Sequence, residues 1–161
     1  MVYIGIDNGV SGAIGILDNE NNIALIYDTP VRKELGYQKT KAKFINRIDC
    51  PKLKVLLQPY GIDCKVFIER PMVNPMRFQA SVSAVRALEA TLIVLEELKI
   101  PYSYIDSKAW QKLLLPPKLK GPELKTASLD VAHRMFPSTD FKKRKDGDAL
   151  LIAEYCRRTY K

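Results

Sequence analysis

Four acidic side chains are the residues of this sequence whose types and spacing could do chemistry. Asp7 and Glu69 each end an apolar run that predicts a buried strand, and Asp146 and Asp148 stand at the start of an amphipathic helical pattern. Carboxylates that crowd together repel one another, and the usual relief is a raised pKa or a bound cation. The acids therefore indicate either a divalent metal site or unrelated acids with local roles.

A metal site built from these acids would favour Mg²⁺. This hard cation takes carboxylate oxygens and keeps several waters, and no His or Cys accompanies the acids. Neighbouring strands lie about 4.8 Å apart, so Asp7 and Glu69 can share cations if the first strand pairs with the fourth. Two ions about 3.5 to 4 Å apart can activate a water and stabilise the leaving oxygen of a phosphodiester. We expect two Mg²⁺ ions, with Mn²⁺ as a substitute.

The last two acids constrain each other. Residues two apart on a helix diverge by about 200°, so both can face the same ions only if Asp146 lies just outside the helix. Gly147 would allow that geometry because glycine adopts conformations that other residues avoid. The alternative is that Asp146 or Asp148 simply caps the helix N-terminus, a position where Asp is favoured.

Asp7 and Glu69 also have local alternatives. Asp7 precedes a turn-forming Asn-Gly pair and would fit a plain turn, and Glu69 would fit a surface acid paired with Arg70. Taken together, the acids favour a catalytic metal site. Its predicted ligands are Asp7, Glu69 and Asp148, with Asp146 as the fourth.

The composition indicates one basic domain. The 161 residues are 47% hydrophobic, which suits one well-buried core, so residues 1–161 are predicted as a single domain. A net charge of +8 favours a polyanionic partner, either nucleic acid or an anionic membrane surface. No apolar stretch approaches the roughly 18 residues of a membrane span, no signal segment opens the chain, and the cysteines form no C-x-x-C pair. We expect a cytoplasmic protein with reduced thiols and no membrane partner.

Alternating strand and helix patterns predict an α/β fold with a mixed five-stranded sheet flanked by helices. The first three strands are joined by short turns and suggest an antiparallel meander. The segment 31–49 is basic and without apolar periodicity, which predicts an exposed connection or a polar helix. The predicted strands are 2–7, 13–17, 23–27, 65–69 and 102–105, and the predicted helices are 79–98, 107–115, 126–136 and 147–158.

Basic residues near the acids predict contacts to DNA phosphates. A run of four directly precedes Asp146, and further lysines stand in the loop before the preceding helix. A solvated face is the commonest fate of a single lysine, and the run of four also resembles a localisation signal. The residues predicted to bind DNA are Arg32, Lys33, Lys41, Lys43, Met76, Arg77, Phe78, Lys118, Lys120, Lys142, Lys143, Arg144 and Lys145.

Apolar side chains follow Glu69 in the loop 72–78 and would suit a wedge that unstacks bases at a branch point. The alternative is that Met76 and Phe78 staple the start of the long helix to the core. The long helix is predicted as a core helix whose apolar content could also serve a dimer partner. Trp110 is predicted as a packing residue, and His133 receives no catalytic role.

Four segments resemble, in order, the motifs of the RuvC-type Holliday junction resolvases, within the RNase H-like superfamily and closest in character to their bacteriophage members. They are 5–13 (GIDNGVSGA), 67–71 (FIERP), 107–112 (SKAWQK) and 148–153 (DALLIA), and they extend over nearly the whole chain. The resemblance implies an RNase H-like sheet of three antiparallel and then two parallel strands. It also implies a dimeric, magnesium-dependent endonuclease that nicks two strands of like polarity at a four-way DNA junction.

Carried over by position, the resemblance implies that Asp7, Glu69 and Asp148 bind metal and that Lys125 stabilises the charged transition state. Family members place an acid or a His one helical turn before the final Asp, where this chain has Lys145, and the nearest acid is Asp146. The implied reaction is in-line attack of a metal-activated water on a phosphodiester, which leaves a 5′ phosphate and a 3′ hydroxyl.

We therefore expect a structure-selective endodeoxyribonuclease for Holliday junctions and related forks or flaps, in a bacterial or phage-infected cell, without a nucleotide cofactor. The alternatives are another RNase H-like nuclease or a module that grips structured nucleic acid without cutting it. The segment 5–9 (GIDNG) also resembles the phosphate-binding hairpin of sugar kinases, actin and heat-shock-type ATPases. Those proteins need two such domains, which a chain of this length does not supply.

Overall fold

The computed structural model describes residues 1–36 and 44–160, in which strands and helices alternate. The strands are β1 (Val2–Asp7), β2 (Ala13–Asp18), β3 (Ile23–Asp28), β4 (Val31–Leu35), β5 (Phe44–Ile48), β6 (Cys64–Glu69) and β7 (Tyr102–Ile105). The helices are α1 (Cys50–Leu57), α2 (Phe78–Glu97), α3 (Ser107–Leu114), α4 (Gly121–Met135) and α5 (Asp148–Thr159). Short 3-10 turns at Gln58–Tyr60 and Pro75–Arg77 precede β6 and α2.

Five of the strands form one mixed sheet with β1 at its centre. The strand order is β3-β2-β1-β6-β7. The first three strands pair antiparallel, whereas β6 runs parallel to β1 and β7 runs parallel to β6. The predicted RNase H-like sheet, three antiparallel strands followed by two parallel ones, is confirmed.

Helices cover both faces of this sheet because its central strands are apolar on both sides. On one face, Ile4 and Ile68 belong to a buried cluster with residues of α1 and α2, including Leu95. On the other face, Phe67 and Trp110 belong to a cluster with residues of α4 and α5. Strands buried on both faces read as continuous apolar runs, which makes β1 and β6 easy to predict from sequence.

Two paired glycines let α5 lie directly on the sheet. Gly5 of β1 pairs with Gly15 of β2. A Cβ atom on Gly5 would lie 2.2 Å from the carbonyl oxygen of Ala149, and one on Gly15 would lie 2.5 Å from the same atom. No other residue fits at either position without displacing α5. The close approach sets the first turn of α5, and therefore Asp148, over the ends of the central strands.

The interpretation of segment 31–49 as an exposed connection or a polar helix is wrong where the structure describes it. Strands β4 and β5 form a separate antiparallel pair. Glu34 on β4 accepts from Arg47 on β5 at 2.6 Å, which joins the two strands, and it also pairs with Arg32 on its own strand at 2.7 Å. These charges obscure the apolar alternation that would have indicated strands. Lys41 and Lys43 lie outside the described residues.

Two helices also differ from the prediction. Helix α1 was not predicted, and it begins where the Asp49 carboxylate accepts a hydrogen bond from the backbone N–H of Lys52. Helix α4 begins at Gly121, inside the predicted loop, with Pro122 in its first turn. A proline in the first helical turn loses no helical hydrogen bond. The start of α1 follows from a side-chain cap and the start of α4 from a proline in its first turn, and apolar periodicity reveals neither.

Helix α2 is buried on one side and apolar on both. Val94 and Leu95 are buried, whereas Val82, Val85 and Ile93 are 36%, 45% and 53% exposed. By length and composition alone, Pro75–Glu97 is long and apolar enough to cross a membrane, so the expectation that no stretch approaches that size is wrong. The inner side of α2 belongs to the core of the sheet. Its outer side is an apolar surface of the kind that marks an interaction site.

Candidate metal centre and nucleic-acid interface

Asp7 and Glu69 emerge side by side at the ends of two central strands. Ile6 pairs with Ile68 in the parallel β1–β6 register, so the next residue of each strand leaves the sheet at the same edge. Both acids line one cleft together with Arg77. Burial, followed by the charges of Glu69 and the two C-terminal acids, raises the pKa of Asp7 well above its usual range. The alternative of Asp7 as a plain turn acid does not account for this environment.

The corner between α4 and α5 brings two further acids to Asp7. Helix α5 begins at Asp148, Gly147 is its N-cap, and Asp146 lies outside the helix, as predicted. One carboxylate oxygen from each of Asp7, Asp146 and Asp148 lies within 4.8 Å of the other two. The capping alternative is wrong, because the N-cap residue is glycine and no side chain caps the helix. Metal binding by the three acids stays a prediction.

Helix α4 holds both acids of this corner from residues one turn apart. The Nζ of Lys125 lies 3.0 Å from Oδ2 of Asp146, and this hydrogen bond raises the pKa of Lys125. The Oγ of Ser128 donates to Oδ1 of Asp148 and accepts from the N–H of Gly147 at 3.1 Å. Ser128 is fully buried, and a Cβ on Gly147 would lie 2.3 Å from the Cβ of Ala132. Only glycine at 147 permits this approach of α4 to the corner.

Helix α3 holds Glu69. The Oγ of Ser107 donates to Oε1 of Glu69, and the indole N–H of Trp110 lies 3.4 Å from Oε2. Burial raises the pKa of Glu69, and the bonds from Ser107 and Trp110 oppose the shift. Arg70 forms its ion pair with Asp106 at 2.9 Å, so the alternative pairing of Glu69 with Arg70 is wrong. Asp7, Asp146 and Asp148 form what we call the three-acid cluster, and Glu69 is not part of this converging group. Glu69 is close enough for its charge to raise the pKa of Asp7, and Ser107 and Trp110 orient its two oxygens.

The three-acid cluster has the chemistry of a divalent cation site. Burial and the charges of Asp146 and Glu69 raise the pKa of Asp148 to about 6, although the Ser128 hydrogen bond opposes the shift. A divalent cation relieves such repulsion more effectively than protonation of one acid at neutral pH. All donors are carboxylate oxygens, which suits a hard cation, and no His or Cys belongs to the cluster among the described residues.

The loop after Glu69 presents its apolar side chains to solvent. Met76 is 91% exposed and Phe78 is 67% exposed. The alternative that these two residues staple the start of α2 to the core is therefore wrong. Arg77, between them, lines the cleft that contains Asp7 and Glu69. Contact of this loop with DNA, and its role as a wedge, stay predictions.

The other residues predicted to bind DNA differ in their availability. Arg144 pairs with Asp28 at 2.9 Å, and its side chain is only 14% exposed. Arg32 is occupied by Glu34 on the β4–β5 pair. The exposed lysines of the set within residues 1–36 and 44–160 are Lys33, Lys118, Lys120, Lys142, Lys143 and Lys145. Contact of any of them with DNA stays a prediction.

Two serine hydroxyls that orient acids were not assigned from sequence. Ser107 lies within a motif segment, yet the motif gives no hint that its hydroxyl reaches Glu69, 38 residues away in the chain. Ser128 carries one weak signal, its position three residues after Lys125 on the same helix. Trp110 is fully buried, as predicted, and also reaches Glu69. The ring of His133 packs against that of Phe141 at a tilt of 46°, with ring centroids 4.4 Å apart.

The fold of this chain is similar to that of solved structures. The chain resembles Thermus thermophilus RuvC in complex with a Holliday junction substrate, at 14% identity and a TM-score of 0.63, with 99% of this chain and 96% of that chain covered. A second Thermus thermophilus RuvC structure matches at 15% identity and a TM-score of 0.61, with 99% and 97% covered. No protein-family model and no curated protein matches the chain. The chain therefore has the RNase H-like fold of RuvC type.

Proposed function

We propose that this protein is a metal-dependent endonuclease that cuts branched DNA, Holliday junctions and related forks or flaps among them. The observation that carries the proposal is the convergence of Asp7, Asp146 and Asp148 within 4.8 Å, next to Glu69, on a RuvC-type fold. A net charge of +8 supports a polyanionic substrate. The solved RuvC complex with a Holliday junction makes branched DNA the first substrate to test.

The residues present fit a bound Mg²⁺ or Mn²⁺ pair. Asp7, Asp146 and Asp148 would hold the metal, with Glu69 completing the set from the neighbouring strand. When bound, such ions supply a nucleophilic water and charge stabilisation for phosphodiester hydrolysis. Lys125 lies against the acids and would neutralise charge on the phosphate. Ser128, Ser107 and Trp110 would keep the carboxylates in place, as partners of metal ligands do.

A homodimer formed through α2 belongs to the same proposal, since the family resemblance implies two active sites acting on one junction. Val82, Val85 and Ile93 recur at steps of three and eight residues on the outer side of the helix, and all are exposed. This spacing keeps them on one face of the helix. A second copy would cover the apolar surface, and the whole chain would act as a single nuclease domain in a bacterial or phage-infected cytoplasm.

The experiment that tests the function is a cleavage panel. Purified protein, shown to be folded by circular dichroism, is incubated with end-labelled four-way, three-way, flap and linear DNA, with and without Mg²⁺. We expect nicks in branched substrates only with the metal, and a 5′ phosphate at each cut. Absence of metal-dependent cleavage on every branched substrate would sink the proposal. Tight binding without cutting would favour a module that grips structured nucleic acid.

A further inference from the structure

A groove between α3 and the segment before α4 lies outside the proposed metal centre. It encloses about 590 Å³, which falls in the range of roughly 300 to 1,000 Å³ typical of ligand sites. We name it the lysine groove. The lining residues that matter here are Lys108, Lys112, Lys118, Leu115, Leu119 and Leu124.

Positive charge lines the groove, and none of its lining residues in the described part of the chain carries a carboxylate. Its three lysines are exposed, and none of them is among the ion-paired lysines of residues 1–36 and 44–160. Lys108 and Lys112 stand about one helical turn apart, a rise of roughly 6 Å along α3. That separation is comparable with the spacing of successive phosphates along an extended strand. The charge of the groove is therefore complementary to a nucleic-acid backbone.

The floor of the groove is apolar. Leu115 is buried, and Leu119 and Leu124 are partly buried. The outer surface of a DNA duplex presents its phosphates and sugars, whereas an unpaired strand can also lay its bases against an apolar surface. Lysines above leucines therefore suit an unpaired strand better than a duplex arm.

The groove adjoins the acids at both of its ends in the chain. Ser107, directly before Lys108, donates to Glu69. Lys125, directly after Leu124, pairs with Asp146. At these two points the groove lies one residue away in the chain from side chains that contact the candidate metal ligands.

We infer that the lysine groove binds an unpaired DNA strand next to the cut. The inference rests on the proposed nuclease function and narrows its substrate to branched DNA with a single-stranded arm, such as a flap or a splayed fork. It assigns Lys108 and Lys112 to substrate binding, although neither belongs to the set of DNA contacts predicted from sequence. Lys118, which does belong to that set, completes the groove.

The test measures binding in the absence of divalent metal, by fluorescence anisotropy over a series of salt concentrations. The probes are a splayed fork and a fully paired four-way junction of matched length. Lys112→Glu is compared with Arg134→Glu, which makes the same charge change at an exposed position near the other end of α4. We expect Lys112→Glu to weaken fork binding about tenfold, far more than junction binding, and to lower the salt slope by about 0.7.

The outcomes separate the groove from the proposed function. Lys112→Glu could weaken fork and junction binding equally, or Arg134→Glu could weaken fork binding as much as Lys112→Glu. Either result would contradict strand binding in the lysine groove and would leave the proposed nuclease function standing. Wild-type protein that binds no branched DNA would overturn the proposed function itself. Selective loss of fork binding with Lys112→Glu, with Arg134→Glu like wild type, supports the groove.

Discussion

At the scale of single residues, the acids of the candidate centre are held in a costly arrangement. Burial and mutual repulsion raise the pKa values of Asp7, Glu69 and Asp148. Each ionised carboxylate is therefore less stable in the folded chain than in the unfolded one. Two structural devices keep the acids in place despite this repulsion: hydroxyl donors from Ser107 and Ser128, and the Lys125 ammonium group.

Stability of the metal-free protein should therefore depend on pH through Asp148. Its pKa rises from 3.8 to about 6 on folding, so the folded state holds the proton more tightly, and stability is lost as pH rises from about 4 to about 6. Asp148→Asn removes this pH-dependent loss of stability, because the asparagine side chain does not ionise. We expect the variant to gain stability over wild type with rising pH, by about 3 kcal/mol at most above pH 6.

Chemical denaturation of both proteins in chelator, at pH values from 4 to 7.5, measures that difference. A difference that does not change with pH would contradict the raised pKa. Added Mn²⁺ at pH 7.5 should raise the melting temperature of wild type more than that of Asp148→Asn, because only wild type retains the full set of ligands.

Ser128 should be a positioning residue, acting on the reaction through Asp148. Ser128→Ala removes the hydroxyl that donates to Asp148 and accepts from the backbone of Gly147. We expect cleavage to fall by roughly 10- to 100-fold, with a higher metal concentration needed for half-maximal rate. Ser138→Ala, at an exposed serine, is the matched control. Cleavage and metal dependence like wild type in folded Ser128→Ala would show that the bond is dispensable.

At the scale of elements, the site is a meeting of strand ends with two helix starts. β1 and β6 deliver Asp7 and Glu69 because their parallel register puts both acids at one edge. The Gly5–Gly15 pair sets α5 on the sheet, and α4 then supplies Lys125 and Ser128 to the corner before α5. Strands β1 and β6 and helix α5 could be predicted from sequence, because their apolar patterns are clear. The contacts from α3 and α4 could not be predicted, because they join residues 19 or more positions apart in the chain.

The apolar outer side of α2 predicts that the protein forms a dimer through this helix. Val85→Glu puts a charge into the exposed apolar surface, and burying an unpaired charge is unfavourable. We expect wild type to sediment as a dimer and Val85→Glu as a monomer in analytical ultracentrifugation. Val55→Glu is the matched control, because Val55 on α1 is 71% exposed and lies on another helix. A monomeric wild type, or a dimeric Val85→Glu, would exclude this interface.

At the scale of the whole molecule, the sequence predicts the five-stranded sheet but misses the β4–β5 pair and helix α1. The central strands β1, β2 and β6 follow from apolar runs that are typical of strands buried on both faces of a sheet. The β4–β5 pair was missed because Arg32, Glu34 and Arg47 interrupt its apolar residues. The candidate site was predictable as far as its acids, since Asp7 and Glu69 end strands and Asp148 opens a helix. Their supporting hydroxyls depend on the tertiary arrangement alone.

The most direct test of the central claim is the rate of Mg²⁺-dependent nicking of a branched DNA by wild type and by Asp7→Asn. Burial, followed by the charges of Glu69, Asp148 and Asp146, raises the pKa of Asp7 well above its usual range. Asp7 also belongs to the group of three acids whose oxygens converge, so we expect its loss to weaken metal binding. We predict that Asp7→Asn cuts roughly a thousandfold more slowly, still binds the DNA, and that Asp130→Asn, at an exposed acid of α4, cuts like wild type. Asp7→Asn cutting at the wild-type rate would contradict a catalytic metal centre at these acids.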